Sequence, residues 1–326
     1  MDSEQTPALC DFFSKHDFTK CFFTGRDVKE NEETTVFPEW VLDRYNMRDQ
    51  YMGMLNWNRI KYGEITLRCH PDAKKKIDEF ENTVKQAFEG GYDAVMQLPQ
   101  DTIFLWMSKL LLGILYHDIL YSLELGVRRH RPFRLSPLLT RKYRDLHFMM
   151  QAIVSPVKWT VRPYSIVVKK LNYSKDIFNF RDETKNQNFS LAMNGFGIIG
   201  CLQDRGVNLI YHKELLDKMG DTTLHAIQFE ELCARFIYSN YLLKQNQGYH
   251  TEYKDGFFVI NPLDKEPVYD FGKWEDKMFA SVLEDYFKPW GIEPKEIYTF
   301  PDTPLSFLIN ESTNNFIRPE EIKLQS

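Results

Sequence analysis

Residues 21–45, CFFTGRDVKENEETTVFPEWVLDRY, are short, polar in the middle and bracketed by aromatic side chains. Cys21-Phe22-Phe23 before Thr24-Gly25 is the pattern of a strand entering a tight turn. Val28 to Glu33 is a polar loop. Thr34-Thr35-Val36-Phe37 is rich in β-formers and is stopped by Pro38, which suits a helix start, so Glu39 to Tyr45 begins a helix. Further on, Pro71 and the stop signal Gly90-Gly91 frame a helix over Asp72–Tyr92, with Ile77, Phe80, Val84 and Phe88 at helical spacing. The opening hundred residues therefore combine a small hairpin with helices.

The rest of the chain divides by residue type. Residues 1–20 suit a short helix. A second helix is predicted from about Gln100 to Leu125. Its run IFLWMSKLLLGILYHDILYSLEL is apolar on every face, as in a central helix. It also carries Lys109, His117, Asp118 and Glu124. Charges at this density argue for a buried helix of a soluble protein over a membrane span. A third helix is expected from Pro137 to Val154. Residues 158–212 then turn β-rich. Ser165–Val168 and Leu209–Tyr211 read as strands, with hairpin turns at Asn194-Gly195 and Asp204-Arg205-Gly206. Helical spacing returns between Thr223 and Gln245, a hairpin at Asp255-Gly256 follows, and Lys273–Phe287 is a last helix. The expected class is α+β: a helical N-terminal half (1–154), then an antiparallel sheet with C-terminal helices (155–326), the halves packed together.

Composition narrows the function. The chain has 326 residues and a formal net charge of -5, so a general affinity for polyanions is not indicated. The five cysteines, Cys10, Cys21, Cys69, Cys201 and Cys233, are odd in number and scattered, which fits separate reduced thiols and a cytoplasmic location better than a disulfide framework. The opening MDSEQTPALCDFF lacks the pattern of a signal peptide.

Cys21-Phe22-Phe23-Thr24-Gly25, with Thr34-Thr35-Val36-Phe37-Pro38-Glu39-Trp40, resembles the front of HNH-type endonuclease-like proteins, over roughly the first hundred residues. In that family a cysteine pair precedes a segment like Glu-His-Val-Phe-Pro, and a second pair leads into a helix. The resemblance places Thr24 where the first pair's second cysteine belongs, Thr34-Thr35 where Glu-His belongs, and Cys69 at the second pair, whose partner is missing. It implies a candidate metal site of Cys21, Cys69 and His70, with zinc as the ion and Cys10 and His16 as outside candidates. A structural zinc site ordinarily takes four such ligands. It also implies that the catalytic base is lost, because a threonine hydroxyl does not accept a proton near neutral pH as imidazole does. Glu32, Glu33 and Glu39 offer carboxylates to a cation, or are simply an exposed acidic loop.

A second candidate is basic. Arg128, Arg129, Arg131, Arg134, Arg141, Lys142 and Arg144 lie within 17 residues with no acid among them. Arginine forks match phosphate, and Phe133 and Tyr143 offer stacking faces. A solvated helix end, or a dock for an acidic protein partner, accounts for the same residues. His117 and Asp118 fall on different faces of their helix, which favours a satisfied core pair over a catalytic one. Gly195-Phe196-Gly197 with Gly200 lacks a following helix and reads as a hairpin rather than a dinucleotide loop. No catalytic residue is assigned. The expected function is a non-catalytic interaction or scaffold subunit of a larger complex, derived from an HNH-like nuclease, with no cofactor. The alternative is a nucleic-acid-binding protein or metal-dependent nuclease using the arginine cluster.

Overall fold

The computed structural model describes residues 8–54, 58–128, 130, 134–244, 248–267, 269–299 and 302–323. The chain is α+β and forms two compact units, each assembled from separated segments. The first comprises Met1–Glu89, Leu98–Arg162 and Gln247–Lys265; the second comprises Gly90–Gln97, Pro163–Asn246 and Glu266–Ser326.

The first unit begins with a single helical turn, α1 (Phe12–Lys15), shorter than the helix expected over residues 1–20. Strand β1 (Glu33–Thr35) leads through Pro38 into α2 (Glu39–Arg44). A small hairpin, β2 (Tyr51–Gly53) with β3 (Arg59–Lys61), precedes β4 (Thr66–Arg68) and the long helix α3 (Pro71–Glu89). Strands β1 and β4 pair antiparallel, with Glu33 opposite Arg68 and Thr35 opposite Thr66. Phe22 extends this arrangement on the other side of β4 by donating its N–H to the Arg68 carbonyl at 2.8 Å. After α4 (Tyr92–Val95), which belongs to the second unit, the chain returns with α5 (Gln100–Arg128).

Helix α5 is long and apolar enough to cross a membrane, but 94% of its most apolar window is buried inside the protein. Its all-round hydrophobicity is that of a core helix, and the side chains from Ile103 to Ile119 are all buried. Helix α6 (Pro137–Met150) starts at Ser136, whose hydroxyl accepts from the Leu139 N–H. His147 of α6 lies in an aromatic nest with Phe12, Phe13 and Phe22. Strand β5 (Val157–Trp159) closes this part of the unit.

The second unit is built on a five-stranded sheet of β6 (Ser165–Asn172), β7 (Asn179–Glu183), β8 (Asn188–Met193), β9 (Phe196–Cys201) and β10 (Leu224–His225). The order is β10-β6-β9-β8-β7, antiparallel except for the parallel pairing of β10 with β6. The β8–β9 turn at Asn194-Gly195 has φ of 45° and 80°, the left-handed pair that an Asn-Gly hairpin turn needs.

One segment departs from the sequence reading. Asp204-Arg205-Gly206 does not turn a hairpin, and Leu209–Tyr211 is not a strand. They form the start and body of α7 (Val207–Tyr211), followed by α8 (Lys213–Met219). The cause is Asp204. Its buried carboxylate accepts from the Ser165 hydroxyl at 2.5 Å and from the backbone N–H groups of Gly206 and Asn208. Such a capping carboxylate satisfies the exposed donors of a first helical turn.

Helix α9 (Ala226–Leu242) packs against the sheet. The chain then goes back to the first unit as the hairpin β11 (Tyr249–Lys254) and β12 (Phe257–Pro262), turning at Asp255-Gly256 as expected, with β12 parallel to β5. It ends in the second unit with α10 (Asp276–Phe287) and a short C-terminal segment. The buried Glu231 carboxylate fixes that segment by accepting from Phe307 N at 2.6 Å, Leu308 N at 3.1 Å and the Ser306 hydroxyl at 2.8 Å.

Candidate functional site

The first unit contains a polar cleft of about 570 Å³. Its walls come from β1, α2, the chain between β3 and β4, and α3, which are the elements around the Thr34-Thr35 stretch. Thr34 and Thr35 lie on β1; Glu39, Trp40 and Asp43 come from α2; Lys74, Asp78, Glu81, Asn82 and Lys85 line it from α3. The α3 residues recur three and four positions apart, so one face of the helix supplies them all.

Most charges here already have partners. Arg48 reaches both Glu39 and Asp43, the latter at 2.7 Å; Lys74 pairs with Asp78 at 2.8 Å; Thr66 donates to Glu33 at 3.0 Å. The indole N–H of Trp40 is buried and meets no acceptor among the described residues. Among the described residues, no histidine lines the cleft.

Beneath Thr35 lies a buried cation. Lys109 of α5 has 0% of its surface exposed. Its ammonium donates to the Val36 carbonyl at 2.8 Å, to the Thr35 carbonyl at 3.2 Å and to Glu81. Burial pushes the Glu81 carboxyl above the usual carboxylate range, and the neighbouring Lys109 offsets part of that rise. Two carbonyls at a strand end and one half-sequestered carboxylate therefore share one ammonium. A buried ion pair persists only when its remaining hydrogen-bonding capacity is also met, and here all three ammonium protons have acceptors.

Neither Lys109 nor Glu81 stands out as a site in the sequence, yet both left a trace. Lys109 interrupts an otherwise apolar run in a helix with no polar face. Glu81 sits on the apolar stripe of α3, four residues after Ile77 and three before Val84.

Cys21 and Cys69 come together. Both are buried, and their segments meet where the Phe22 N–H donates to the Arg68 carbonyl at 2.8 Å. The Cys69 thiol holds the Cys21 thiol below its ordinary value, and the Cys21 thiol together with burial pushes Cys69 up. His70 contributes its backbone N–H to Cys21, while its ring faces α3, where Nδ1 accepts from the Asp72 N–H at 3.2 Å. Asp72 pairs in turn with Arg26 at 2.8 Å. Among the described residues no group of three or more His, Cys, Asp and Glu side chains is arranged to hold a metal ion.

His117 is buried in the core. Its Nε2 lies 2.7 Å from the Thr66 carbonyl, and burial holds its pKa below the usual imidazole value. Of the basic cluster, Arg128 and Arg134 are exposed at either side of the α5–α6 connection. Arg141, Lys142 and Arg144 are half-buried on α6. Arg144 is engaged with Asp145 at 3.4 Å and lies over the Phe148 ring. Arg129 and Arg131 lie outside the described residues.

Compared with protein-family models, with curated proteins and with solved structures, the chain matches none.

Proposed function

We propose that this protein is a non-catalytic interaction subunit, working in the cytoplasm, whose first unit is a remnant of an HNH-like nuclease. The observation that carries this reading is the Lys109 ammonium bound to the Thr35 and Val36 carbonyls and to Glu81. The resemblance expects a general base and a cation-assisted phosphate at the end of β1. There this chain has two threonines above a fixed positive charge of its own. A hydroxyl is a poor base at neutral pH, and a neighbouring ammonium opposes the binding of a second cation. The cleft carboxylates are mostly committed to Arg48, Lys74 and Lys109, which leaves little for metal chemistry. The hairpin-and-helix frame of β1, β4 and α3 nevertheless stays, and it serves as a rigid surface for a protein partner.

The test is incubation of the purified full chain with supercoiled DNA and with single-stranded RNA, in magnesium, manganese or zinc. The expected result is no nicking above a heat-inactivated control, and a stoichiometric protein partner on native purification from the source cells. Divalent-dependent nicking abolished by T35A or E39A overturns the proposal. Salt-sensitive nucleic-acid binding lost in R128A/R134A would favour instead the alternative that the basic connection between α5 and α6 is the working face.

A further inference from the structure

We propose that the polar cleft of the first unit is a saccharide-binding site. It takes a neutral oligosaccharide, with one sugar ring against Trp40 and the hydroxyl groups bonded to the charged pairs and the amide of the walls. This goes beyond the reading of the chain as an interaction subunit and does not rest on it.

The pairing of charges in the walls selects the ligand. Among the described residues the lining carries five carboxylates and three cations. The carboxylates are engaged from within. Arg48 spans Glu39 and Asp43, Lys74 meets the two oxygens of Asp78 at 2.9 and 2.8 Å, Lys109 holds Glu81, and Thr66 donates to Glu33. A metal ion or a polyamine therefore has to displace cations already in place. A phosphate or another anion meets an excess of carboxylates. An apolar ligand strips water from these groups and returns no hydrogen bonds. A neutral hydroxylated ligand escapes all three objections.

The paired groups still have capacity for such a ligand. An ionised carboxylate has about four acceptor sites, so one that holds a single ammonium or hydroxyl also accepts from a sugar hydroxyl. Donors to the sugar oxygens are at hand. The Lys85 ammonium lies 4.0 Å from Glu89, beyond hydrogen-bonding range, and the exposed Asn82 amide both donates and accepts.

Shape agrees with chemistry. The cleft holds about 570 Å³, within the roughly 300–1,000 Å³ of small-molecule sites. Past Lys74, Asp78 and Asn82 it runs on along α3 as a more open groove, lined also by Pro71, Lys75 and Glu79, which gives a chain of sugar rings room to continue. Gly63 keeps one wall thin: a Cβ there would lie 2.8 Å from Arg48 Cγ and 3.1 Å from the Arg48 carbonyl oxygen. Trp40 is half-buried in the wall and braced edge-on by Phe88, with 6.2 Å between ring centres. An indole joins a flat apolar face to a polar N–H at its rim, as a sugar ring joins a C–H face to a rim of hydroxyls. The buried Trp40 N–H has no acceptor among the described residues.

The experiment applies the purified full chain to a broad glycan array, then titrates the best-bound glycan as a free oligosaccharide by calorimetry. Its monosaccharide unit, inorganic phosphate and spermidine are titrated beside it. The array reads a glycan fixed to a carrier and calorimetry the free chain, so the two sources of such a ligand are told apart. The expected result is saturable binding of a neutral oligosaccharide, weaker for the monosaccharide and unchanged between low and high salt, as fits an uncharged ligand. W40A should weaken it about tenfold, as for an aromatic anchor. N82A should weaken it about fivefold through one lost hydrogen bond. Asn82 is exposed on a helix, where alanine favours the fold, so N82A decides the matter even if W40A fails to fold. Failure of every glycan to bind overturns the proposal, as does binding that N82A leaves unchanged. Phosphate or spermidine binding that excludes the glycan marks an ionic site and overturns it equally.

Discussion

His147 illustrates what a fully enclosed side chain does to stability. Its Nε2 donates to the Phe22 carbonyl at 2.8 Å, Gln151 faces Nδ1 at 3.3 Å, and three phenylalanines surround the ring. Both nitrogens are satisfied in the neutral form, and burial pulls the pKa down to about 4. In the unfolded chain the ring takes its proton near pH 6.5, so between pH 6.5 and 4 the unfolded state binds the extra proton and acid favours unfolding. Asp145, pushed up to about 6 by burial, works in the opposite direction below pH 6. Comparison with H147Q separates the two: from pH 7 to pH 5 the parent should lose about 2 kcal/mol more stability than the variant in urea unfolding. A His147 imidazole, assigned by the loss of its signal in H147Q, that titrates near 6.5 in the NMR spectrum of the folded protein would refute this.

At the same scale, the sequence brought Cys21 and Cys69 forward but not the backbone bond from Phe22 N to the Arg68 carbonyl that links their segments, because no local pattern encodes a contact between positions so far apart. Lys109 was legible only as an interruption in an apolar run. Its role depends on the Thr35 and Val36 carbonyls at the end of β1, to which it donates, and strand-end carbonyls that need a donor cannot be seen from composition.

Among the elements, α5 was the most readable, since a run apolar on every face has few homes other than a protein interior. What the run does not disclose is which neighbour comes closest. Gly113 answers that: a Cβ built there would lie 2.6 Å from both Cγ atoms of Val36. Valine is stiff at χ1, so it cannot swing away cheaply. Replacing Gly113 by Ala gains about 1 kcal/mol of helix propensity but overpacks the contact by about 1–3 kcal/mol. The expected net loss is about 1 kcal/mol, and the overpacking part should vanish when Val36 is also made Ala. Thermal or urea unfolding of the two single variants and the double variant measures this; additive losses would mean that α5 and the residue after β1 do not touch. Segment Leu209–Tyr211 misled for the opposite reason. Its β-branched and aromatic residues favour a strand locally, but the Asp204 carboxylate, set in place by Ser165 on β6, caps a helix there. The deciding group lies outside the segment.

For the whole molecule, the consequential feature is that sequence order and compact units do not coincide. Turn signals and helical spacing found the β11–β12 hairpin, but they hold no information about which strand it joins. In the fold it adds to the first unit, where Phe258 N donates to Pro156 O at 2.9 Å and Thr160 N donates to Ile260 O at 3.2 Å. Tyr249 N also supplies the buried Asp145 carboxylate with a donor at 3.2 Å. A fragment ending at residue 162 lacks all of these. It exposes the β5 edge, the apolar surface that covers Ile260 and Tyr249, and a carboxylate deprived of its backbone donor. A bare strand edge invites aggregation, and a buried acceptor left unpaired costs about 1–3 kcal/mol on its own. Fragment 1–162 should therefore unfold in urea with low cooperativity and weak near-ultraviolet dichroism. The same fragment joined through a flexible linker to residues 247–265 should recover a single cooperative transition, because the hairpin restores the edge pairing and the Asp145 donor together. If fragment 1–162 alone unfolds as sharply as the joined form, the hairpin is an accessory to the first unit rather than part of its core.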